Sequence, residues 1–203
     1  MYVINAKTYS NGTNVVDDYD NEFHFGKRPV MPISAYDEVQ NYVYIGTFSK
    51  LIAPAIRVGY IYSSQNFIDK AGELRKIMDM QGDNFMEQAL LDLLVSGELR
   101  RHQKRMLEVY RKKRDLFASF LEKYLKDKVR YNVPNGGLAF WLIPISKKTN
   151  LYKIREQANK SYVNFYTPDR FSFSGPVCGI RLGYASLSNE DLEHGLSVLS
   201  RFL

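Results

Sequence analysis

The period of the hydrophobic positions changes several times along this chain. Val15-Val16 is a short apolar run ahead of two aspartates. Tyr42-Val-Tyr-Ile45 and Val58-Gly-Tyr-Ile-Tyr62 are apolar, β-branched and aromatic over strand lengths, the composition of buried parallel strands. Ser63 or Ser64 can cap a helix in which Phe67, Leu74 and Ile77 recur at helical spacing. A second helix carries Phe85, Ala89, Leu90, Leu93 and Leu94, and these are expected in a core. The longest helical pattern runs from Glu98 to Leu125, with Met106, Tyr110, Phe117, Phe120, Leu121 and Tyr124 along one face. Beyond it, Val129–Val133 and Leu138–Ile143 read as strands around the glycine turn Pro134-Asn-Gly-Gly137. Leu151–Lys160 reads as an amphipathic helix, and Val163–Phe165 and Cys178–Tyr184 as strands. Ser188-Asn-Glu-Asp191 is a capping box for a last helix that turns Leu192, Leu196, Leu199 and Phe202 inward. Residues 1–13 read as the end of a helix and a turn, and Gly26–Gln40, with Pro29 and Pro32, as a surface connection. Strands alternating with helices predict an α/β architecture.

Composition narrows the class. With 203 residues, 45% of them hydrophobic, the chain can bury a core and is not of a disordered type. No apolar run approaches the roughly 20 residues of a membrane span, and the single cysteine, Cys178, excludes an intramolecular disulfide. A soluble cytoplasmic protein is the expectation. His24, His102 and His194 stand far apart without neighbours at ligand spacing, so no metal site is expected. The net charge of +6 owes much to one segment, in which Arg100, Arg101, Lys104, Arg105, Arg111, Lys112, Lys113 and Arg114 fall opposite the apolar face of the long helix. That pattern reads as a solvated or interdomain face rather than a DNA-binding one.

The chemistry concentrates in Gly46-Thr-Phe-Ser-Lys-Leu-Ile-Ala-Pro-Ala-Ile-Arg57, a loop between two strand-like runs. Strand ends are where open α/β sheets bind ligands. A lysine held there, partly desolvated and beside another cation, can attack a carbonyl and form a Schiff base, which makes Lys50 the candidate nucleophile. Arg57, seven residues on, has the planar fork that captures a phosphate, and the hydroxyls of Thr47 and Ser49 can assist. Upstream, Asp17 and Tyr19 close the Val15-Val16 run. A carboxylate there can keep a pyridine nitrogen protonated, the charge-assisted bond being worth about 1.5–3 kcal/mol, and the phenol can bond a ring hydroxyl. Arg181 interrupts an apolar strand and so needs a partner, either an internal acid or a substrate carboxylate.

Asp17-Asp-Tyr-Asp-Asn-Glu-Phe-His-Phe25, followed by Thr-Phe-Ser-Lys50 with Arg57 at plus seven and Gly59-Tyr60 beyond, resembles the class I/II aminotransferases of pyridoxal-phosphate fold type I. More narrowly, it resembles the aminotransferase-like effector domain of MocR-type regulators of the GntR group. The resemblance implies an α/β fold, the C-terminal part of a fold type I transferase with part of a large-domain sheet and an α/β small domain. It implies pyridoxal 5'-phosphate as cofactor, bound as an aldimine by Lys50, with Asp17 on the ring nitrogen, Tyr19 on the ring hydroxyl, and Thr47, Ser49 and Arg57 around the phosphate. Arg181 falls where the family binds the substrate α-carboxylate, which favours the ligand over the internal acid. One departure is Val16, where an acid is usual. The implied division is residues 1–97 as a remnant of the cofactor-binding domain, 98–125 as a bridging helix and 126–203 as the small domain. Such chains normally carry a long stretch before this point, so a fragment or truncated relative is expected, its pocket incomplete on one side. DNA would be reached only through a winged helix-turn-helix domain absent here.

Three functions are compatible with this reading. The chain can be the part of a homodimeric regulator that senses an amino acid or amine effector, part of a free aminotransferase acting on an amino acid, or a non-catalytic structural or dimerising unit. The closeness of the Asp-Asp-Tyr-Asp-Asn-Glu-Phe and Thr-Phe-Ser-Lys segments to the regulators favours the first.

Overall fold

The computed structural model describes residues 5–8, 12–18, 20, 22–26, 41–78, 82–171 and 178–203. Two compact units, residues 1–107 and 108–203, divide the chain, and the division falls inside its longest helix. No helix among the described residues is long and apolar enough to cross a membrane.

The first unit holds a four-stranded sheet in chain order: β1 (Asn5–Thr8), β2 (Asn14–Asp17), β3 (Tyr42–Thr47) and β4 (Gly59–Tyr62). β1 and β2 are antiparallel, β2 and β3 parallel, β3 and β4 antiparallel. Two expectations are corrected here. Residues 5–8 form a strand and not the end of a helix, because pairing with β2 satisfies backbone groups of both segments and outweighs a weak local preference. The Val58–Tyr62 run is neither buried nor parallel to its neighbour, since all four residues of β4 are exposed. Its direction follows from chain length: a parallel return takes a crossover of about a dozen residues or more, whereas the eleven residues from Phe48 to Val58 spend themselves on a tight turn and a 3-10 turn at Pro54–Ile56.

Two glycines let β3 and β4 close on one another. Gly46 lies opposite Tyr60, whose ring covers it so closely that an added Cβ would stand 2.3 Å from the ring. Gly59 lies opposite Thr47, and a Cβ there would come 2.9 Å from the carbonyl oxygen of Gly46. Ring pairs Tyr42–Tyr62 and Tyr44–Tyr60, with centroids 6.1 and 6.2 Å apart, run along the same face.

α1 (Gln65–Met78) starts where Ser64 Oγ accepts the Phe67 N–H at 3.4 Å, and α2 (Asn84–Val95) where Asp83 accepts from Met86 N at 3.0 Å. Their apolar positions depart from the expected core. α1 buries no residue and α2 only Leu90, while Phe85 is 92% exposed. The periodicity is there, but among the described residues no element covers these faces. Among the described residues, the buried apolar side chains of this unit are Val16, Phe23, Val43, Leu51, Leu90 and Leu99, and Ser49 is a buried polar one.

α3 (Glu98–Leu125) has the expected limits. In the second unit its Phe117, Leu121 and Leu125, four residues apart, pack against a three-stranded antiparallel sheet of β5 (Val129–Arg130), β6 (Ala139–Pro144) and β7 (Ile180–Gly183), with α4 (Leu151–Asn159) and α5 (Asn189–Leu199) completing the core. Phe117 and Phe140 pack with their rings tilted by 52° and centroids 5.1 Å apart, and Tyr184, fully buried, donates its hydroxyl proton to the carbonyl of Gly137, whose φ of 75° favours glycine. Ser188 caps α5 as expected, its Oγ accepting the Asp191 N–H at 3.0 Å. The first strand of this unit stops at Arg130, short of Val133. Val163–Phe165 forms no strand: Phe165 reaches the core from a segment without regular secondary structure.

Truncating Leu121 to Ala should cost about 2–5 kcal/mol in denaturant unfolding, whereas Phe85→Ala should stay within about 0.5 kcal/mol. Gly59→Ala should destabilise the first unit by about 1–3 kcal/mol, because the obstructing atom is backbone and cannot rotate away. Chemical denaturation followed by tyrosine fluorescence would measure it.

Candidate functional site

Strand register brings the candidate residues to one end of the first sheet. Asp17 and Ile45 face each other across the parallel pair, and the Asp18 N–H donates to the Ile45 carbonyl at 3.0 Å. Successive side chains of a strand point to opposite faces. Asp18 therefore shares the face of Val16 and Tyr44, and its Oδ2 accepts the Tyr44 hydroxyl proton at 3.1 Å. Asp17 takes the face of Ile45 and Thr47, is exposed, and forms no ion pair among the described residues. Tyr19 lies outside the described residues.

Lys50 sits in the turn directly after β3. Thr47 Oγ1 donates to the Val58 carbonyl at 3.2 Å and accepts the Ser49 N–H at 3.1 Å. Phe48 N also donates to Val58 O, at 3.0 Å, and Ile52 N closes the turn on Phe48 O at 2.9 Å. From α3, His102 Nε2 reaches the Leu51 carbonyl at 3.1 Å. The backbone on either side of Lys50 is thus tied down and flanked by buried Ser49 and Leu51, while the lysine itself is exposed rather than partly desolvated. Thr47 has one proton, already donated to Val58, so in this arrangement it has none for a phosphate. Ser49 Oγ makes no hydrogen bond to a described residue.

Arg57 follows the 3-10 turn in the left-handed region, φ 52° and ψ 27°. A non-glycine residue there costs about 1–3 kcal/mol, and such residues cluster at functional sites. It stands two residues before Gly59, the partner of Thr47 in register, so the carboxyl ends of β2 and β3 and the amino end of β4 carry Asp17, the Lys50 turn and Arg57 together. Arg57 is exposed and pairs with no acid among the described residues.

Several residues of this region escaped the sequence reading. Tyr44 holds the second aspartate, and burial first, then Asp18 and Tyr60, push its phenol well above the ordinary tyrosine range. Burial, then Asp18 and Asp20, raises the carboxyl of Glu22. Strand alternation could have identified the split of Asp17 from Asp18. His102, 51 residues from Leu51, left no local signal.

In the second unit, Arg181 lies on β7 opposite Trp141, half-buried, with no carboxylate paired to it among the described residues. The basic face of α3 is largely occupied locally. Arg101 pairs with Glu98 at 2.7 Å and Arg111 with Glu108 at 2.8 Å, Arg114 bonds Asp115 and the Pro134 carbonyl, and Lys113 Nζ donates to Ala185 O and Leu187 O. These contacts suit a solvated face more than a nucleic-acid one.

The profile of the family "Aminotransferase class I and II" matches residues 4–199. Over 190 residues, 91% of this chain and 40% of that protein, the chain is 29% identical to an uncharacterized HTH-type transcriptional regulator, YdeL, of Bacillus subtilis. It is also 29% identical, over 92% of its length and 45% of that protein, to aromatic-amino-acid aminotransferase 1 of Thermococcus litoralis. Among solved structures it superposes with a TM-score of 0.81, at 25% identity, on LysN, an α-aminoadipate aminotransferase of Thermus thermophilus complexed with N-(5'-phosphopyridoxyl)-L-leucine, covering 93% of this chain and 49% of that one. The chain spans less than half the length of the curated relatives it matches. Its architecture is accordingly that of part of a fold type I domain, and the chain belongs to the class I and II aminotransferase family.

Proposed function

We propose that this chain is a pyridoxal-phosphate-binding, aminotransferase-like unit whose role is to sense an amino acid or amine for a transcriptional regulator. The observation that carries the reading is the common strand end that bears Asp17, the Lys50 turn and Arg57 in a member of this family. The donor set fits the cofactor: an exposed amine, an exposed carboxylate, a guanidinium and a serine hydroxyl, none bonded through its side chain to a described residue. Residues 1–97 then belong to the cofactor-binding domain, 98–125 to a bridging helix and 126–203 to the small domain.

Lys50 Nζ would hold the cofactor at its aldehyde carbon, with loss of water, Asp17 would hold the ring nitrogen and keep it protonated, and Tyr19 would donate to the ring hydroxyl. Ser49 and Arg57 would hold the phosphate, while Thr47 shapes the turn through Val58 and Ser49. When bound, the cofactor supplies an electron sink for charge developing at the ligand Cα. Arg181 holds the ligand carboxylate through its planar fork, a role supported by the lack of a paired acid among the described residues. Lys50 Nζ is the base that moves the Cα proton where turnover occurs. Equal identity to a regulator and to an enzyme keeps turnover as the second reading. Keto-acid formation from added amino acids would favour it.

Addition of pyridoxal phosphate to the chain should produce a new visible absorption band that Lys50→Ala abolishes; identical spectra for the two proteins would remove Lys50 from the site. Arg57→Leu should weaken cofactor binding about ten- to a hundredfold, the loss of one charge-assisted contact. Arg181→Leu should leave cofactor affinity unchanged and weaken the spectral response to amino acids, in parallel titrations.

A further inference from the structure

The turn that carries Lys50 is closed by its own backbone and by the Val58 carbonyl, except at Leu51. The Leu51 carbonyl, one residue after the lysine, receives its hydrogen bond from His102 Nε2 at 3.1 Å. A carbonyl only accepts, so this nitrogen carries the proton. Leu51 is 7% exposed, and its buried side chain fixes the other side of the same residue. Among the described residues this is the one side-chain hydrogen bond between α3 and the loop 48–58, and it runs from the helix of 28 residues to a loop between strands.

We propose that His102 is a positioning residue for Lys50, a role that rests on reading Lys50 as the cofactor lysine. By donating to the Leu51 carbonyl it holds the Leu51–Ile52 peptide, one peptide beyond the one that follows Lys50, and so limits how the turn around Lys50 can rotate. Buried Ser49 and Leu51 on either side leave the lysine as the residue of the three that projects into solvent. Thr47 and Val58 hold the front of the turn and His102 holds its back, so the amine is aimed without any group needing to touch it. Loss of the donor lets the turn rock about the Phe48–Ile52 bond.

His102→Gln keeps an N–H donor and His102→Met, of similar length, does not; both are good helix formers. Hydrogen exchange followed by mass spectrometry without cofactor should show peptides within 48–58 exchanging about tenfold faster in the Met variant and close to wild type in the Gln variant, the factor one hydrogen bond carries. The apparent affinity for pyridoxal phosphate, read from the visible band, should fall about tenfold in the Met variant alone. If Gln and Met behave alike, or if faster exchange spreads through both variants instead of staying in 48–58, the positioning role is overturned. A wild-type chain that shows no visible band removes the reading of Lys50, and the exchange data then still decide whether His102 holds the turn.

Discussion

The parallel pairing of β2 with β3, aligned so that Asp17 meets Ile45, is the constraint on which the candidate site depends. It fixes two strand ends at one level. The short return to β4 then brings Arg57 to the same end, because eleven residues cannot cross the sheet and come back parallel. A one-residue slip in that pairing would exchange the faces of Asp17 and Asp18 and put the tyrosine-held carboxylate where the exposed one now stands. The Asp18–Tyr44 bond opposes such a slip, since it works only in the present register.

The two units divide their labour differently. Residues 108–203 contain a closed core in which α3, the second sheet, α4 and α5 bury aromatic and aliphatic side chains almost completely. The described residues of 1–107 bury only a few apolar side chains, and several polar groups there tie the strands and the Lys50 turn: Thr47 to Val58 and Ser49, Tyr44 to Asp18, His102 to Leu51. That is the balance expected where loops carry the chemistry and the scaffold has to orient them.

Much of this was legible in the residues themselves. The limits of α3, the cap at Ser188 and the Lys50 loop between two strands are local signals of spacing and residue type, and each appears where those signals put it. The direction and exposure of β4 were not legible from its composition, since tyrosine and isoleucine suit a covered and an uncovered strand equally; the length of the preceding loop held the information. Phe85 and Leu94 follow a helical period faithfully and are nonetheless exposed, because periodicity tells which side of a helix is apolar and not whether anything lies against it. Hydrogen bonds such as His102 to Leu51 join positions far apart in the chain and have no signature in either neighbourhood.

β4 carries a wider consequence. It ends its sheet, exposes Tyr60, Ile61 and Tyr62, and has no described partner along its outer edge. An uncovered edge with apolar side chains is a template on which further strands can add, and natural proteins usually blunt such edges with charge or proline. This one has neither between Gly59 and Tyr62. Among the described residues, the outer side of β4 is therefore the place where this sheet can take a further strand.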